Sequence, residues 1–270
     1  MNFIDIHSHI LPGVDDGARD LEQTLAMAKA AYYDGVTALV ATPHVIKGVF
    51  ENHKEDILKQ ILNLDLYLKQ CGLKMPILPG AEYYLEPNLA ERLAAGTLLT
   101  INDTGRYLLV ELPATMVPDY TDQILYEIQL QGVTPIIAHP ERNLGLAKKP
   151  QLLQEWARRG ILAQVTSISI SGWFGRGAKK RALKFLQTGA AQLIASDGHD
   201  ARGRAPLINQ AFQEIEQLWG TDMARTLTFH NPDLIIRGLP LKTTVPLAVE
   251  IPWADYFKKF RAGSSDKPRF

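Results

Sequence analysis

Two histidines, His7 and His9, flank Ser8 directly after the apolar run Phe3-Ile4-Asp5-Ile6. Far along the chain, Asp197 and His199 flank Gly198 directly after Gln192-Leu193-Ile194-Ala195-Ser196. Between these pairs, His44, Glu82, Glu111 and His139 each stand at the close of another apolar run. Imidazole and carboxylate together bind divalent cations such as manganese, iron or zinc, and the high share of carboxylate leans toward manganese or iron. If each run is a strand of one parallel sheet, groups remote in sequence meet at the strand ends. That placement predicts a polynuclear metal site at one mouth of a barrel, and with it metal-assisted hydrolysis.

Each motif also has a plainer reading. Residues two apart on a strand share a face, so His7 and His9 can reach one cation, with Asp5 on the same face to hold a ligand imidazole in place. Such pairs also occur as ordinary structural histidines. Asp15-Asp16-Gly17, taken alone, is turn chemistry. In Thr42-Pro43-His44 the proline ends a hydrogen-bonded ladder and fixes the exit of the chain. Glu82 after Gly80-Ala81, and Glu111 after Val110, put carboxylates beside apolar runs. An unpaired buried carboxylate costs several kcal/mol, so each calls for a cation or an arginine. Arg142, three residues after His139, and Arg204, five after His199, fall in loops on the same face. There a guanidinium can hold phosphate oxygens bidentately; solvated surface is the alternative. Five of the seven histidines stand at predicted strand ends, whereas His53 and His230 do not and read as surface or capping residues.

The elements that must position these groups follow from periodicity. Strand-like runs fall near residues 2–7, 37–41, 76–81, 106–111, 134–138, 161–166 and 192–196. Helical patterns follow most of them, near 51–70, 118–132, 149–159, 177–188 and 205–219, and a first helix is capped by Asp20 with Leu21, Leu25, Ala28 and Tyr32 as its apolar stripe. Seven β-then-α units predict a single α/β domain, most economically a closed seven-stranded barrel, with a doubly wound open sheet as the alternative. From about Leu241 the pattern fades. Residues 241–270 form an expected C-terminal extension whose stretch 252–261 mixes aromatics with bases, suited to packing on the barrel or docking on a membrane or partner. Its last residues have the composition of a disordered end.

Composition sets bounds on partners and compartment. The 270 residues are 46% hydrophobic and 21% charged with a formal net charge of zero, so bulk charge gives no reason to expect nucleic acid or an acidic membrane. Residues 1–139 hold 18 acids and 9 bases, while residues 140–184 hold 10 bases and 2 acids. An acidic first half suits cations and a basic segment beside it suits an anionic substrate, although Lys148, Lys149, Arg158, Arg159 and Lys179 to Arg181 also read as solvated helix faces. Cys71 is the only cysteine, which excludes an internal disulfide and a cysteine-based zinc site, and its polar surroundings argue against a nucleophile. With no leader pattern and no apolar run of membrane-spanning length, a reducing cytoplasm is the expected location.

His7-Ser8-His9, Asp16, Thr42-Pro43-His44, Glu82, Glu111, His139-Pro140-Glu141-Arg142 and Asp197-Gly198-His199 together resemble the polymerase and histidinol phosphatase (PHP) family. The opening from Asp5 to Gly17 is similar to its manganese-dependent bacterial tyrosine phosphatases of capsule and exopolysaccharide synthesis, and the likeness runs from about residue 2 to 240. The resemblance implies a distorted (β/α)7 barrel holding three divalent ions. By position, His7, His9, Glu82 and Asp197 would bind one ion; Glu82, Glu111 and His139 a second, with Glu82 bridging; Asp16, His44 and His199 the third. Arg142 and Arg204 match phosphate-contacting arginines, and Asp16 stands where other branches often carry histidine. The implied partner is a membrane-associated tyrosine autokinase with a phosphotyrosine tail, and an oligomer is compatible with the pattern. Two segments depart: Trp173 stands where a basic or polar residue is expected, and residues 45–50 are more apolar than the branch suggests. The rival functions are a phosphatase of small molecules such as histidinol phosphate or a nucleotide, and a metal-stabilised phosphotyrosine-binding module without turnover. A nuclease role is weaker, because no long basic groove or stacking aromatics accompany the site.

Overall fold

A computed structural model describes residues 2–241 of the chain. Apart from Leu241, the C-terminal extension with its aromatic–basic stretch lies outside these residues. Among these residues nine strands, all paired in parallel, are interspersed with helices: β1 (Phe3–Ser8), β2 (Val36–Ala41), β3 (His44–Val45), β4 (Ile77–Pro79), β5 (Glu82–Tyr84), β6 (Tyr107–Glu111), β7 (Thr134–Ala138), β8 (Leu162–Thr166) and β9 (Leu193–Ala195). They form a three-stranded sheet in the order β1-β2-β4 and a six-stranded sheet in the order β3-β5-β6-β7-β8-β9. The architecture is mixed α/β with parallel sheets.

Seven strands were expected and nine are present among the described residues, because the second and third expected strands are each followed, past a short break, by a further short strand. Pro43, between β2 and β3, has no N–H for the ladder. Gly80, between β4 and β5, lies so close to β2 that an added Cβ would stand 2.8 Å from Val40 Cγ1. After each break the chain joins the other sheet, so His44 and Glu82 open short strands and pair with each other rather than closing long ones. At the far edge, β1 meets the end of β9 through a single bridge, Ser8 to Gly198. His9 N donates to Gly198 O at 2.8 Å and Asp197 N to His7 O at 2.9 Å, which sets the first and last ligand pairs side by side.

The strands read as near-continuous apolar runs because both of their faces are buried. Ile4, Ile6, Val40, Leu109, Ile136, Leu162 and Leu193 belong to one cluster. Their neighbours Phe3, Leu39, Leu108, Ile137, Ala163 and Ile194 belong to a second, shared with the helices. Period-two alternation thus builds two apolar layers that hold the strand ends in register.

The helix Leu21–Asp34 is capped as expected: Gln23 N donates to Asp20 Oδ1 at 2.8 Å. Its buried face overlaps the expected stripe only at Ala28 and, half-buried, Leu25. Thr24, Met27, Ala28 and Ala31 are buried, whereas Leu21 is 47% and Tyr32 41% exposed. The Thr24 hydroxyl donates to Ile10 O, which rotates this face inward, and small side chains allow close approach. The last expected helix, 205–219, starts only at Asn209, and further short helices follow it to Ile236. Among the basic residues read as solvated, Lys179 is instead buried with its Nζ 2.7 Å from Glu214, and Arg181 Nε donates to Glu141 O. No helix among the described residues is long and apolar enough to cross a membrane.

Candidate metal centre

All nine expected ligands converge. Their nitrogen and oxygen atoms fall into four overlapping groups: His9, Asp16, His44 and His199; His7, Glu82 and His139; His7, His9 and Asp197; His44, Glu82 and Glu111. Within each group the candidate ligand atoms lie within 4.8 Å of one another. Glu82 sits at the centre. Its Oε1 is 2.8 Å from His139 Nε2, and its Oε2 is 3.3 Å from His7 Nε2, 3.4 Å from His9 Nε2 and 3.0 Å from His44 Nδ1.

The donor chemistry fits cations better than hydrogen bonding. His7 Nε2 and His9 Nε2 face each other at 3.2 Å, so at most one proton can lie between two lone pairs. Glu82 Oε2 and His44 Nδ1 are fully buried, yet neither has a hydrogen-bond partner. Leaving buried polar atoms unsatisfied costs about 1–3 kcal/mol each, and a divalent ion among them removes that cost. Asp16 closes the outer side: its Oδ1 lies 3.6 Å from His44 Nε2 and 3.4 Å from His199 Nε2, with its side chain half exposed.

Charge in the cluster follows this crowding. Burial alone would raise Glu82, but His7, His139 and His44 outweigh it and hold its carboxyl well below the usual range. Burial, reinforced by the charges of Glu82 and Asp197, pushes Glu111 up to about 8. Burial and the nearby Arg142 guanidinium push His139 down to about 4, leaving the neutral imidazole that metal binding requires. Burial also opposes charge on His9, yet Asp15, Asp197 and Glu82 prevail and raise it well above its ordinary value.

Arg142 and Arg204 are not solvated surface. Arg142 Nη2 lies 2.6 Å and Arg204 Nη2 2.8 Å from the same atom, Asp197 Oδ2. Two guanidinium groups therefore meet at the rim of the cation cluster, the arrangement that grips a tetrahedral anion. They share with Glu111, His139 and Asp16 a cleft of about 230 Å³. Two residues that hold this rim have left-handed backbones, His139 at φ 33° and Asp197 at φ 53°. For non-glycine residues this costs roughly 1–2 kcal/mol each, a strain typical of functional sites.

The supports behind the imidazoles were only partly expected. Asp5 does not hold an imidazole. One extra residue on β1 opposite β2, between Asp5 and Ser8, breaks the alternation that would align Asp5 with His7. Asp5 instead accepts from Ser196 Oγ at 2.5 Å and Ser196 N at 3.0 Å, fastening β1 to the end of β9. The imidazole supports are Gln164, whose Oε1 is 2.9 Å from His7 Nδ1, and Asp15, whose Oδ2 is 2.7 Å from His9 Nδ1. Asp15 also accepts from His44 N at 2.9 Å and Gly17 N at 2.9 Å. Gly17 is required there, because an added Cβ would stand 2.2 Å from His9 O. Asp15 is hidden in sequence by its likeness to a turn; Gln164 carries a signal, as a lone amide within the apolar run Leu162-Ala163-Gln164-Val165. Glu141, also buried, accepts from Ser169 Oγ at 2.6 Å and Thr166 N at 3.0 Å, tying the turn that bears Arg142 to the end of β8. His53 and His230 are exposed, in keeping with their reading as surface residues.

A parallel α/β fold with imidazoles and carboxylates gathered at its strand ends defines a class of metal-dependent hydrolases. Residues 3–237 match the family described as capsular polysaccharide synthesis, CpsB/CapC, and the chain belongs to that family. It is 35% identical over 247 residues to the tyrosine-protein phosphatase YwqE of Bacillus subtilis, covering 92% of this chain and 96% of that protein. It is 34% identical over 238 residues to the tyrosine-protein phosphatase CpsB of Streptococcus pneumoniae, covering 86% of this chain and 98% of that protein. Among solved structures it is similar, with a TM-score of 0.87 and 34% identity over 92% of this chain and 100% of the other, to one from a study of YwqE and CpsB as metal-dependent tyrosine phosphatases.

Proposed function

We propose that this chain is a cytoplasmic, metal-dependent protein-tyrosine phosphatase acting on the phosphotyrosine tail of a membrane-associated autokinase that controls capsular or extracellular polysaccharide synthesis. The relatives' phosphatase activity and the family's role in capsule synthesis support this reading. Residues 1–240 would form one catalytic domain, a distorted (β/α)7 barrel of the PHP kind. The single observation that carries the reading is the cluster around Glu82: buried Glu82 Oε2 and His44 Nδ1 without hydrogen-bond partners, His7 Nε2 facing His9 Nε2, and two guanidinium groups on one carboxylate oxygen beside them.

His7, His9, Glu82 and Asp197 would hold one ion, Glu82, Glu111 and His139 a second, and Asp16, His44 and His199 a third. Manganese suits this carboxylate-rich set, with iron or zinc compatible. When bound, such ions supply Lewis acidity toward phosphoryl oxygens and a hydroxide nucleophile near neutral pH. Arg142 and Arg204 turn from Asp197 toward the incoming phosphate and neutralise its remaining oxygens. Glu82 keeps the imidazoles converged, and Gln164 and Asp15 keep His7 and His9 pointing inward. The leaving phenolate has a conjugate acid near pKa ~10, so it departs with less protonation than an alkoxide needs. Cysteine chemistry has no place here, since the lone Cys71 is exposed at the end of the helix Lys54–Gln70.

The test is phosphate release from a phosphotyrosyl peptide and from small phosphomonoesters at equal concentration, with manganese and with chelator. Preferential, chelator-sensitive turnover of the peptide is expected. Preference for the small esters would favour the small-molecule reading, and binding without release would reduce the protein to a recognition module.

A further inference from the structure

The segment Ser171-Gly172-Trp173-Phe174-Gly175 links the helix Ser167–Ser171, at the end of β8, to the helix Gly175–Gln187. Its backbone is fixed: Gly172 closes the first helix in a left-handed conformation, and Trp173 N donates to Ile168 O at 3.0 Å. Yet Trp173 is 62% exposed, whereas Trp156 is 1% exposed. An indole 62% exposed on a hydrogen-bonded backbone offers a broad apolar surface to solvent.

Its two neighbours locate it. On one side, the ring of Phe174 lies 4.8 Å from Cζ of Arg142. On the other, Trp173 Cζ2 stands 3.7 Å from where a Cβ on Gly203 would be, and Gly203 directly precedes Arg204. Trp173 therefore stands at the lip between the two loops whose arginines meet on Asp197. The ester group of a phosphate held between these arginines would reach Trp173 if it left the cleft on that side.

Resting on the phosphatase reading above, we propose that Trp173 is a specificity-determining residue whose indole packs against the aryl ring of a phosphoaryl substrate. Aromatic rings attract in offset or edge-on arrangements, and a side chain with two rotatable bonds on a hydrogen-bonded backbone loses little freedom on contact. An alkyl phosphate or free phosphate offers no ring, so the contact separates phosphotyrosine from phosphoserine by binding as well as by leaving group. It also gives a use to an aromatic where a polar residue was expected.

The test measures dissociation constants of phenylphosphonate and inorganic phosphate by calorimetry on manganese-loaded wild type, Trp173→Ala and Trp173→Phe. The expected result is a loss of phenylphosphonate affinity of about two- to ten-fold in Trp173→Ala. Phosphate affinity is unchanged in that variant, and Trp173→Phe retains most of the difference. Unchanged affinity for both ligands overturns the proposal. So does an equal loss for both, which would make Trp173 a prop for Arg142 rather than a contact for the ring. The ratio of the two constants within one preparation is insensitive to the fraction of folded protein. Failure of wild type to hydrolyse phosphotyrosine would instead defeat the phosphatase reading, whatever the ratio.

Discussion

His7 Nε2 lies 3.2 Å from His9 Nε2, and each ring is held from behind, His7 by Gln164 and His9 by Asp15. With both imidazoles neutral, two lone pairs are thus pressed together by side chains that bind no substrate. The arrangement is costly without a cation and productive with one. Loss of such a support typically weakens metal binding 10- to 100-fold. Asp15→Ala is therefore expected to lower manganese affinity by about that factor, with Asp15→Asn between it and wild type. Manganese titration followed by calorimetry checks this, and turnover at saturating manganese is expected to recover most of its wild-type value.

Arg142 and Arg204 share Asp197 Oδ2, so they form one anion grip rather than two independent contacts. Arg142→Ala or Arg204→Ala is expected to lower kcat/KM for a phosphotyrosyl peptide by about 10²–10³, the loss seen when one transition-state donor is removed. Because the two act together, the double variant is expected to fall short of the product of the single losses. Lysine at either position is expected to restore little, since it lacks the planar fork. Steady-state kinetics on the five variants decide this.

Glu82 touches four imidazoles gathered from three strands, β1, β3 and β7. Glu82→Gln keeps the volume and removes the charge. It is expected to reduce bound manganese by at least one ion per chain and turnover by about 100-fold or more, since both metal retention and charge stabilisation depend on it. Elemental analysis of dialysed protein separates loss of metal from loss of rate.

Next to Glu82, Tyr83 points away from the cluster into the core, where Leu99 N donates to its hydroxyl at 2.6 Å. Burial outweighs that hydrogen bond and pushes the phenol up to about 12. A phenol raised in the folded state binds its proton more tightly there than in the unfolded chain. Its contribution is therefore complete below about pH 10, the unfolded value, and is lost as pH rises toward 12. Over that interval the loss is on the order of 3 kcal/mol. Urea denaturation of metal-free protein at pH 9 to 11.5 is expected to show this decline. It is expected to be shallower in Tyr83→Phe, which starts less stable by about 1–3 kcal/mol because Leu99 N–H loses its acceptor.

The members of the cluster are legible in the sequence because strand ends in a parallel fold collect whatever follows the apolar runs. His139 after β7 and Asp197 after β9 need nothing more than that rule. Local geometry is less legible. The break at Pro43 follows from its missing N–H, but the break at Gly80 depends on how closely two strands approach, and the strand pattern of residues 76–81 looks the same with or without it. The extra residue in β1 sends Asp5 to Ser196 instead of an imidazole, and nothing in Asp5-Ile6-His7 announces it. The helix Leu21–Asp34 buries Thr24 rather than Leu21 because a hydroxyl finds the Ile10 carbonyl, a tertiary bond that periodicity does not contain. Asp15 looks like turn chemistry until His9 and His44 are seen to converge on it.

The most direct test is phosphate release from a phosphotyrosyl peptide while chelator-stripped protein is titrated with manganese and the bound ions are counted. No turnover in the stripped protein, and a rate that climbs with occupancy until about three ions are bound per chain, is the predicted result. Full turnover without metal, or none in the fully loaded protein, would contradict it.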